Sequence, residues 1–115
     1  MFVDFSRLKI FLKPGHTDFR KQINGLTIII AEEMKMDPLS SHLFLFCNKA
    51  RNRLKIVYWD KTGFCLWLKR LEKDKFPWPK NENDTIEIDI RKLQMILSGI
   101  DFWKAHKEVK YTKIF

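Results

Sequence analysis

Three short runs of aromatic and branched residues, which lie close together in the chain, constrain its fold more than any other feature. They occupy residues 42–47, 54–59 and 64–69. Runs of this composition, separated by polar connections, are typical of β-strands. The connection 48–53 is polar and basic, which predicts a hairpin tip in water. The connection 60–63 predicts a tight turn in which Gly63 supplies a positive φ. The sequence therefore predicts an antiparallel meander over about residues 42–69.

An amphipathic helix is predicted before the meander. Apolar residues recur at intervals of three and four positions, at Phe19, Ile23, Leu26, Ile30 and Met34. This is the period of a helix that buries one face. Asp18, or alternatively Thr17, has a side chain typical of an N-cap. The residue before a proline is pushed out of helical backbone angles, so the helix should end before Pro38. We expect it to span about residues 18–35.

Shorter elements complete the expected fold. Strands are predicted at 6–12 and 85–88, and a short C-terminal helix over about 89–98 should begin at the cap Asp89 and end at Gly99. The resulting fold class is α+β, a small single domain. In it the meander and the additional edge strands pack against the amphipathic helix and the short C-terminal helix.

Length and composition agree with one domain over residues 1–115, because 45% of the residues are hydrophobic and only four are glycine. Residues 102–115 form a basic tail. The tail either contains a last strand at 109–115 or becomes ordered only when it binds a partner. No apolar run approaches the roughly 20 residues of a membrane span. Cys47 and Cys65 lie inside apolar runs, so we expect reduced, buried thiols in a cytoplasmic protein.

The positive charge is concentrated in one third of the chain. The net charge is +8, and residues 48–80 contain ten Lys and Arg against three Asp and Glu, which is +7. Like charges repel, so such a concentration does not stabilise a fold. A solvated surface is the simplest explanation, and a surface that binds a polyanion, most often nucleic acid, is the functional one.

Residues that could perform catalysis or hold a metal do not cluster in the sequence. His16, His42 and His106 are far apart, and none is spaced as a ligand pair. Asp18 and Asp89 fall at expected helix caps, and Asp37 and Asp60 fall at expected turns. No glycine-rich phosphate loop is present. We therefore predict a protein that is not an enzyme, with no catalytic residue, metal or cofactor.

Basic residues alternate with aromatic ones through the charged third of the chain. Lysine and arginine neutralise phosphates, and exposed aromatic rings can stack on bases. Trp59 and Trp67 lie in predicted strands and are expected in the core, whereas Trp78, between two prolines, is expected at the surface. The candidate nucleic-acid-binding residues are Lys49, Arg51, Arg53, Lys55, Lys69, Arg70, Lys73, Lys75, Trp78 and Lys80.

Four runs of the sequence resemble a known family. They are Asp37–Phe46, Asn48–Asp60, Thr62–Glu72 and Phe76–Pro79. Over roughly residues 8–101 the chain is similar to the accessory protein, called TnpB or the second reading frame, of bacterial insertion sequences of the sixty-six group. Two positions depart from that family, since Ser41 and Asp74 stand where it usually has glycine.

The resemblance implies a bacterial mobile element in which a separate, larger transposase carries the acidic catalytic residues. Our leading hypothesis is a non-catalytic accessory factor that binds DNA at the element ends and assists that transposase, cytoplasmic and nucleoid-associated when bound. The alternative is an adaptor that binds the transposase without contacting DNA. A small nuclease is a third hypothesis. The sequence leaves the oligomeric state and the preferred DNA sequence open.

Overall fold

A five-stranded mixed sheet with a helix on each face is the framework of the computed structural model, which describes residues 7–80 and 84–99. The strands lie in the order β4-β3-β2-β1-β5. The elements, in chain order, are β1 (Ile10–Leu12), α1 (Ile23–Glu32), β2 (Leu43–Cys47), β3 (Arg53–Asp60), β4 (Gly63–Arg70), β5 (Ile86–Ile88) and α2 (Ile90–Leu97).

The predicted antiparallel meander is confirmed as β2, β3 and β4. Asp60 pairs with Gly63 and closes a two-residue turn. The residue with positive φ in this turn is Lys61 (φ 56°), so the prediction that Gly63 takes this conformation is wrong. Gly63 is the first residue of β4, and a Cβ added there would meet nothing within 4 Å.

β1 lies inside the sheet, which corrects the expectation of an added edge strand. It pairs in parallel with β2 on one side and antiparallel with β5 on the other. Two parallel neighbours need a long crossover connection, and the segment that contains α1 provides it. β5 is an edge strand as expected.

Two hydrophobic clusters, one on each face of the sheet, follow from the alternation of side chains along the strands. The first packs α1 against the sheet and consists of Phe11, Leu26, Ile29, Ile30, Met34, Phe44, Phe46 and Val57. The second packs α2 and the segment 71–80 against the opposite face. It consists of Ile10, Leu12, Leu45, Cys47, Leu54, Ile56, Phe76, Trp78, Ile88, Leu93 and Ile96.

α1 begins later than the sequence predicts. Its N-cap is Gln22, which makes no side-chain cap hydrogen bond. The Asp18 carboxylate instead accepts hydrogen bonds from the backbone N–H and the guanidinium of Arg20. These bonds hold the pKa of Asp18 far below its ordinary value. The helix ends before Pro38 as expected, with Lys35 at positive φ and the Met36 N–H donating to the carbonyl of Ile30.

α2 agrees with the prediction. The Asp89 carboxylate accepts a hydrogen bond from the backbone N–H of Lys92 at 2.8 Å, and Gly99 follows the helix at φ 79°.

Cys47 is fully buried, whereas Cys65 is only half-buried, which corrects the expectation for the second thiol. The predicted last strand at 109–115 and the tail 102–115 lie outside the described residues.

Candidate nucleic-acid interface

The hairpin tip between β2 and β3 is built around the side chain of Asn48. Its Oδ1 accepts hydrogen bonds from the backbone N–H groups of Asn52 and Arg53, both at 3.0 Å. The Arg51 N–H donates to the carbonyl of Asn48 at 3.1 Å. Arg51 has φ 61°, a left-handed conformation that favours glycine. The tip therefore holds an arginine in a conformation that costs backbone energy.

The segment 71–80 returns to this tip and is fastened to it by backbone hydrogen bonds. The Leu71 N–H donates to the carbonyl of Asn52, and the Phe76 N–H donates to the carbonyl of Arg51 at 2.6 Å. Phe76 is fully buried in the cluster beneath α2. The hairpin tip and the segment 71–80, separate in sequence, are thus held side by side.

Trp78 anchors the far part of this segment. Its indole Nε1–H donates to the carbonyls of Lys13 and Gly15, at 2.9 and 3.1 Å, and the residue is 5% exposed. The Gly15 N–H in turn donates to the carbonyl of Pro79. The expectation that Trp78 lies at the surface is therefore wrong. An aromatic ring buried this deeply cannot stack on a base.

An open cleft of about 430 Å³, the basic cleft, lies between these parts. Its lining residues are Gly15, His16, Asn48, Lys49, Arg51, Lys75, Trp78, Pro79 and Lys80. Four lining side chains are lysine or arginine, and none of the lining residues is Asp or Glu. Three of the four cations, on Lys49, Lys75 and Lys80, belong to exposed residues. The cleft is therefore a site of concentrated positive potential.

Two of the predicted binding residues, Arg53 and Arg70, lie on the face of the sheet that α1 covers. Both residues are exposed, and they are direct partners in the pairing of β3 with β4. The Arg70 guanidinium donates to Glu72 at 3.0 Å. Lys73 is exposed in the loop after β4. These three residues lie outside the lining of the basic cleft.

Lys55 is buried and serves the fold, which corrects its place among the binding residues. It is 4% exposed, and its Nζ donates to the carbonyls of Phe19 and Lys21 at 3.0 and 2.8 Å. The same Nζ lies 4.7 Å from the centre of the Phe19 ring. Burial lowers the pKa of Lys55, an effect that the charge of Asp18 opposes.

Lys69 also has a structural partner. Its Nζ donates to the carbonyl of Leu97 at 2.9 Å, where a cation is favoured by the free carbonyls at the end of α2. The residue is half-buried. Lys69 therefore ties β4 to α2.

Sequence reasoning missed the contribution of Gly15 and His16, which form the third side of the basic cleft. A Pro-Gly pair such as Pro14-Gly15 is typical of a chain break after a strand, and it gives no sign of a cleft. Gly15 has φ 75°, a backbone conformation that favours glycine, so this turn has a conformational requirement that glycine meets.

Among residues 7–80 and 84–99, no group of three or more His, Cys, Asp or Glu is placed to hold a metal ion. Neither helix in these described residues is long and apolar enough to cross a membrane.

Comparisons with known proteins place the chain in a family. The profile of the family described as "IS66 Orf2 like protein" matches residues 8–107. The chain is 34% identical over 107 residues to uncharacterized protein y4hO of Sinorhizobium fredii, which covers 93% of each chain. It is 28% identical over 101 residues to uncharacterized protein y4jC of the same organism, covering 88% of this chain and 86% of the relative. No solved structure matches. The family match spans most of the chain, and the protein therefore belongs to the IS66 Orf2-like family.

Proposed function

We propose that this protein is a non-catalytic accessory factor for transposition of a bacterial insertion sequence, and that it binds DNA through the basic cleft. One observation carries the proposal. Arg51 from the hairpin tip and Lys75 and Lys80 from the returning segment line the same cleft, with no acidic residue among its lining. Family membership supports the link to transposition, and the chemistry of the cleft supports a polyanion as the ligand.

The cations of the cleft suit phosphate groups. A guanidinium such as that of Arg51 can donate two parallel hydrogen bonds to one phosphate, and lysine ammonium groups act as mobile point charges around it. Neutralising DNA phosphates releases condensed counterions, which drives binding. Such contacts fix the position of a protein on the duplex without reading its sequence. The separate transposase would then perform the chemistry on DNA that this protein holds, in the cytoplasm and on the nucleoid.

Fluorescence anisotropy on labelled element-end DNA and on a scrambled duplex, titrated with salt, tests the proposal. Four phosphate contacts predict a slope of log affinity against log salt of about −4, at about −0.9 per contact. The double variant Arg51→Glu with Lys75→Glu should lose binding, or bind with a slope shallower by about 2, because two cations are replaced by anions. Circular dichroism should remain that of the folded protein.

A control variant with the same change in net charge is available at the other end of the sheet. Lys61 lies in the turn between β3 and β4, and Arg91 lies in the first turn of α2. Both positions are exposed. Lys61→Glu with Arg91→Glu should weaken binding only through the smaller total charge. Equal losses in the two double variants would overturn the cleft as the DNA site, and absence of binding by the native protein at low salt would overturn DNA binding.

The adaptor hypothesis predicts a different result from the same variants. If the cleft receives an acidic surface of the transposase, the Arg51→Glu, Lys75→Glu variant should stop co-purifying with the transposase while its affinity for DNA stays unchanged. That result would reassign the basic cleft to a protein partner. If the same variant loses DNA binding but still co-purifies with the transposase, the result supports our proposal.

A further inference from the structure

β4 is a long strand at the edge of the sheet. It has eight residues and pairs with β3 without interruption. The first pair of the ladder is Arg53 with Arg70, and the last is Asp60 with Gly63. Within residues 7–80 and 84–99, no strand pairs with its outer side. An edge strand exposes backbone N–H and C=O groups that can pair with another chain, and proteins usually blunt such edges with proline, bulges or short length. Within its own span, β4 has none of these three devices. Charged side chains also blunt edges, but the two cations of β4, Lys69 and Arg70, are its last residues, and residues 63–68 carry no charge.

Two large apolar side chains of β4 are exposed, on opposite faces of the sheet. Trp67 is 42% exposed and pairs with Ile56, on the face of α2. Leu68 is 54% exposed and pairs with Lys55, on the face of α1. The expectation that Trp67 lies in the core is therefore wrong. At this part of the edge, neither face of the sheet is fully covered.

We propose that β4 pairs antiparallel with β4 of a second copy of this chain, in a register centred on Leu66. In this register Phe64 faces Leu68 of the second copy, Leu66 faces Leu66 and Cys65 faces Trp67. The apolar residues at the middle of the strand therefore contact one another across the new pair. Cross-strand contacts of this kind stabilise sheets.

The positions of the cations select this register over its neighbours. Lys69 and Arg70 are the last residues of β4, so antiparallel pairing keeps the two sets of cations at opposite ends. Centring on Trp67 instead would place Lys69 against Cys65 and Arg70 against Phe64. Centring on Cys65 would place Lys69 directly against Lys61, and like charges in direct opposition are destabilising.

A second copy fits this edge because the strand is complementary to itself. The new contact is isologous, with a two-fold axis perpendicular to the sheet, so it closes after two copies. The two five-stranded sheets would become one continuous sheet. β5, the other edge of the described sheet, has three residues and offers much less backbone.

A designed disulfide tests both the pairing and its register. Trp67→Cys places a thiol opposite Cys65 of the second copy. Directly opposed residues in antiparallel strands are about 4.5–5.5 Å apart between Cα atoms, within the range of a disulfide. Oxidised glutathione should convert this variant to a covalent dimer that dithiothreitol reverses. Its mass spectrum should show a bond between Cys65 of one chain and the introduced thiol of the other.

Leu68→Cys is the matched control for the disulfide. Its thiol lies on the other face of the sheet from Cys65, so it should form no such dimer under the same conditions.

Sedimentation equilibrium provides an independent measurement. The native protein should approach twice 13.9 kDa as its concentration rises. Leu68→Gln, a neutral change that sets no charge opposite Lys55, should weaken the dimer about tenfold, because both symmetric contacts between Leu68 and Phe64 are lost at once. Ile90→Gln is the control, since Ile90 is 45% exposed and follows β5, the strand at the opposite edge of the sheet.

Three results would overturn the proposal. They are a native protein that stays monomeric at every concentration, equal cross-linking of the Trp67→Cys and Leu68→Cys variants, and an edge that pairs only with the transposase. Circular dichroism of each variant keeps these results separate from a failure to fold. Loss of DNA binding by the cleft variants would leave the dimer unaffected, so the two proposals can fail independently.

Discussion

Four residues other than glycine adopt positive φ in the described part of the chain, and each lies in a connection between elements. They are Lys35, Ser41, Arg51 and Lys61. A side chain in this conformation costs about 1 kcal/mol relative to glycine. Ser41 has φ 69°, a backbone conformation that favours glycine. Sequence reasoning assigned a positive φ to Gly63 because turns favour glycine, but the two-residue turn gives it to Lys61.

Replacing Arg51 by glycine should separate the stability of the protein from its binding. Arg51→Gly relieves the left-handed backbone at the hairpin tip, so we expect the free energy of unfolding to stay level or rise by up to about 1 kcal/mol. DNA affinity should fall, with a salt slope shallower by about one contact. Denaturant titration and anisotropy measure the two effects. Lys61→Gly is the control. It should change the free energy of unfolding similarly, while the affinity for DNA is retained. Unchanged binding by Arg51→Gly would contradict a role for the guanidinium.

His42 should make stability depend on pH. Its Nδ1 accepts a hydrogen bond from the backbone N–H of Lys9 at 3.1 Å, which requires the neutral ring. Burial and the nearby charge of Lys9 lower the pKa of His42 from 6.5, an effect that Glu87 opposes. The unfolded chain therefore binds this proton more tightly, so stability should be complete above pH 6.5 and decrease as the pH falls below it.

Urea titrations between about pH 7 and pH 5, above the ordinary carboxyl pKa values, measure this dependence. The His42→Gln variant keeps a side-chain acceptor without a titrating ring, so its stability should vary less over the same range. An equal pH dependence in the native protein and in the variant would show that His42 is not its source.

At the scale of elements, the two helices differ in how they begin. The Asp89 side chain caps α2, whereas α1 has no side-chain cap and Asp18 bonds to Arg20 in the preceding turn. Asp89→Ala should lower the free energy of unfolding by about 1 kcal/mol. Asp18→Ala should cost less, because it breaks an exposed ion pair. Denaturant titration of both variants checks this order, and a larger loss for Asp18→Ala would reverse our assignment of the caps.

The late start of α1 shows why this boundary could not be predicted from periodicity. Phe19 follows the spacing of the helix, and it packs with the cluster beneath α1. However, the carbonyls of Phe19 and Lys21 accept hydrogen bonds from Lys55, a residue far along the chain. A partner so distant in sequence leaves no local signal. The meander and α2, in contrast, depend on local alternation and local caps, and both elements were predicted correctly.

At the scale of the molecule, the candidate site is an assembly of three chain segments. Sequence reasoning selected Arg51, Lys75 and Lys80 among the candidate binding residues because lysine and arginine neutralise phosphates. The structure brings Arg51 together with Lys75 and Lys80. The sequence could not show that Lys55 is buried or that Trp78 finds acceptors in the segment after β1, because both contacts depend on the topology of the whole sheet.

The hydrogen bonds of Trp78 have a consequence for the lifetime of the protein in a cell. They join positions 65 and 63 residues apart, and closing loops of this length costs chain entropy, so we expect these bonds to form late in folding and to be lost when the sheet unfolds. The same contacts hold one wall of the basic cleft. A polyanion that bridges the walls binds only the folded chain and stabilises it by mass action. We expect the unbound protein to be degraded faster than the bound one, so that the number of surviving copies follows the amount of DNA to which they are attached.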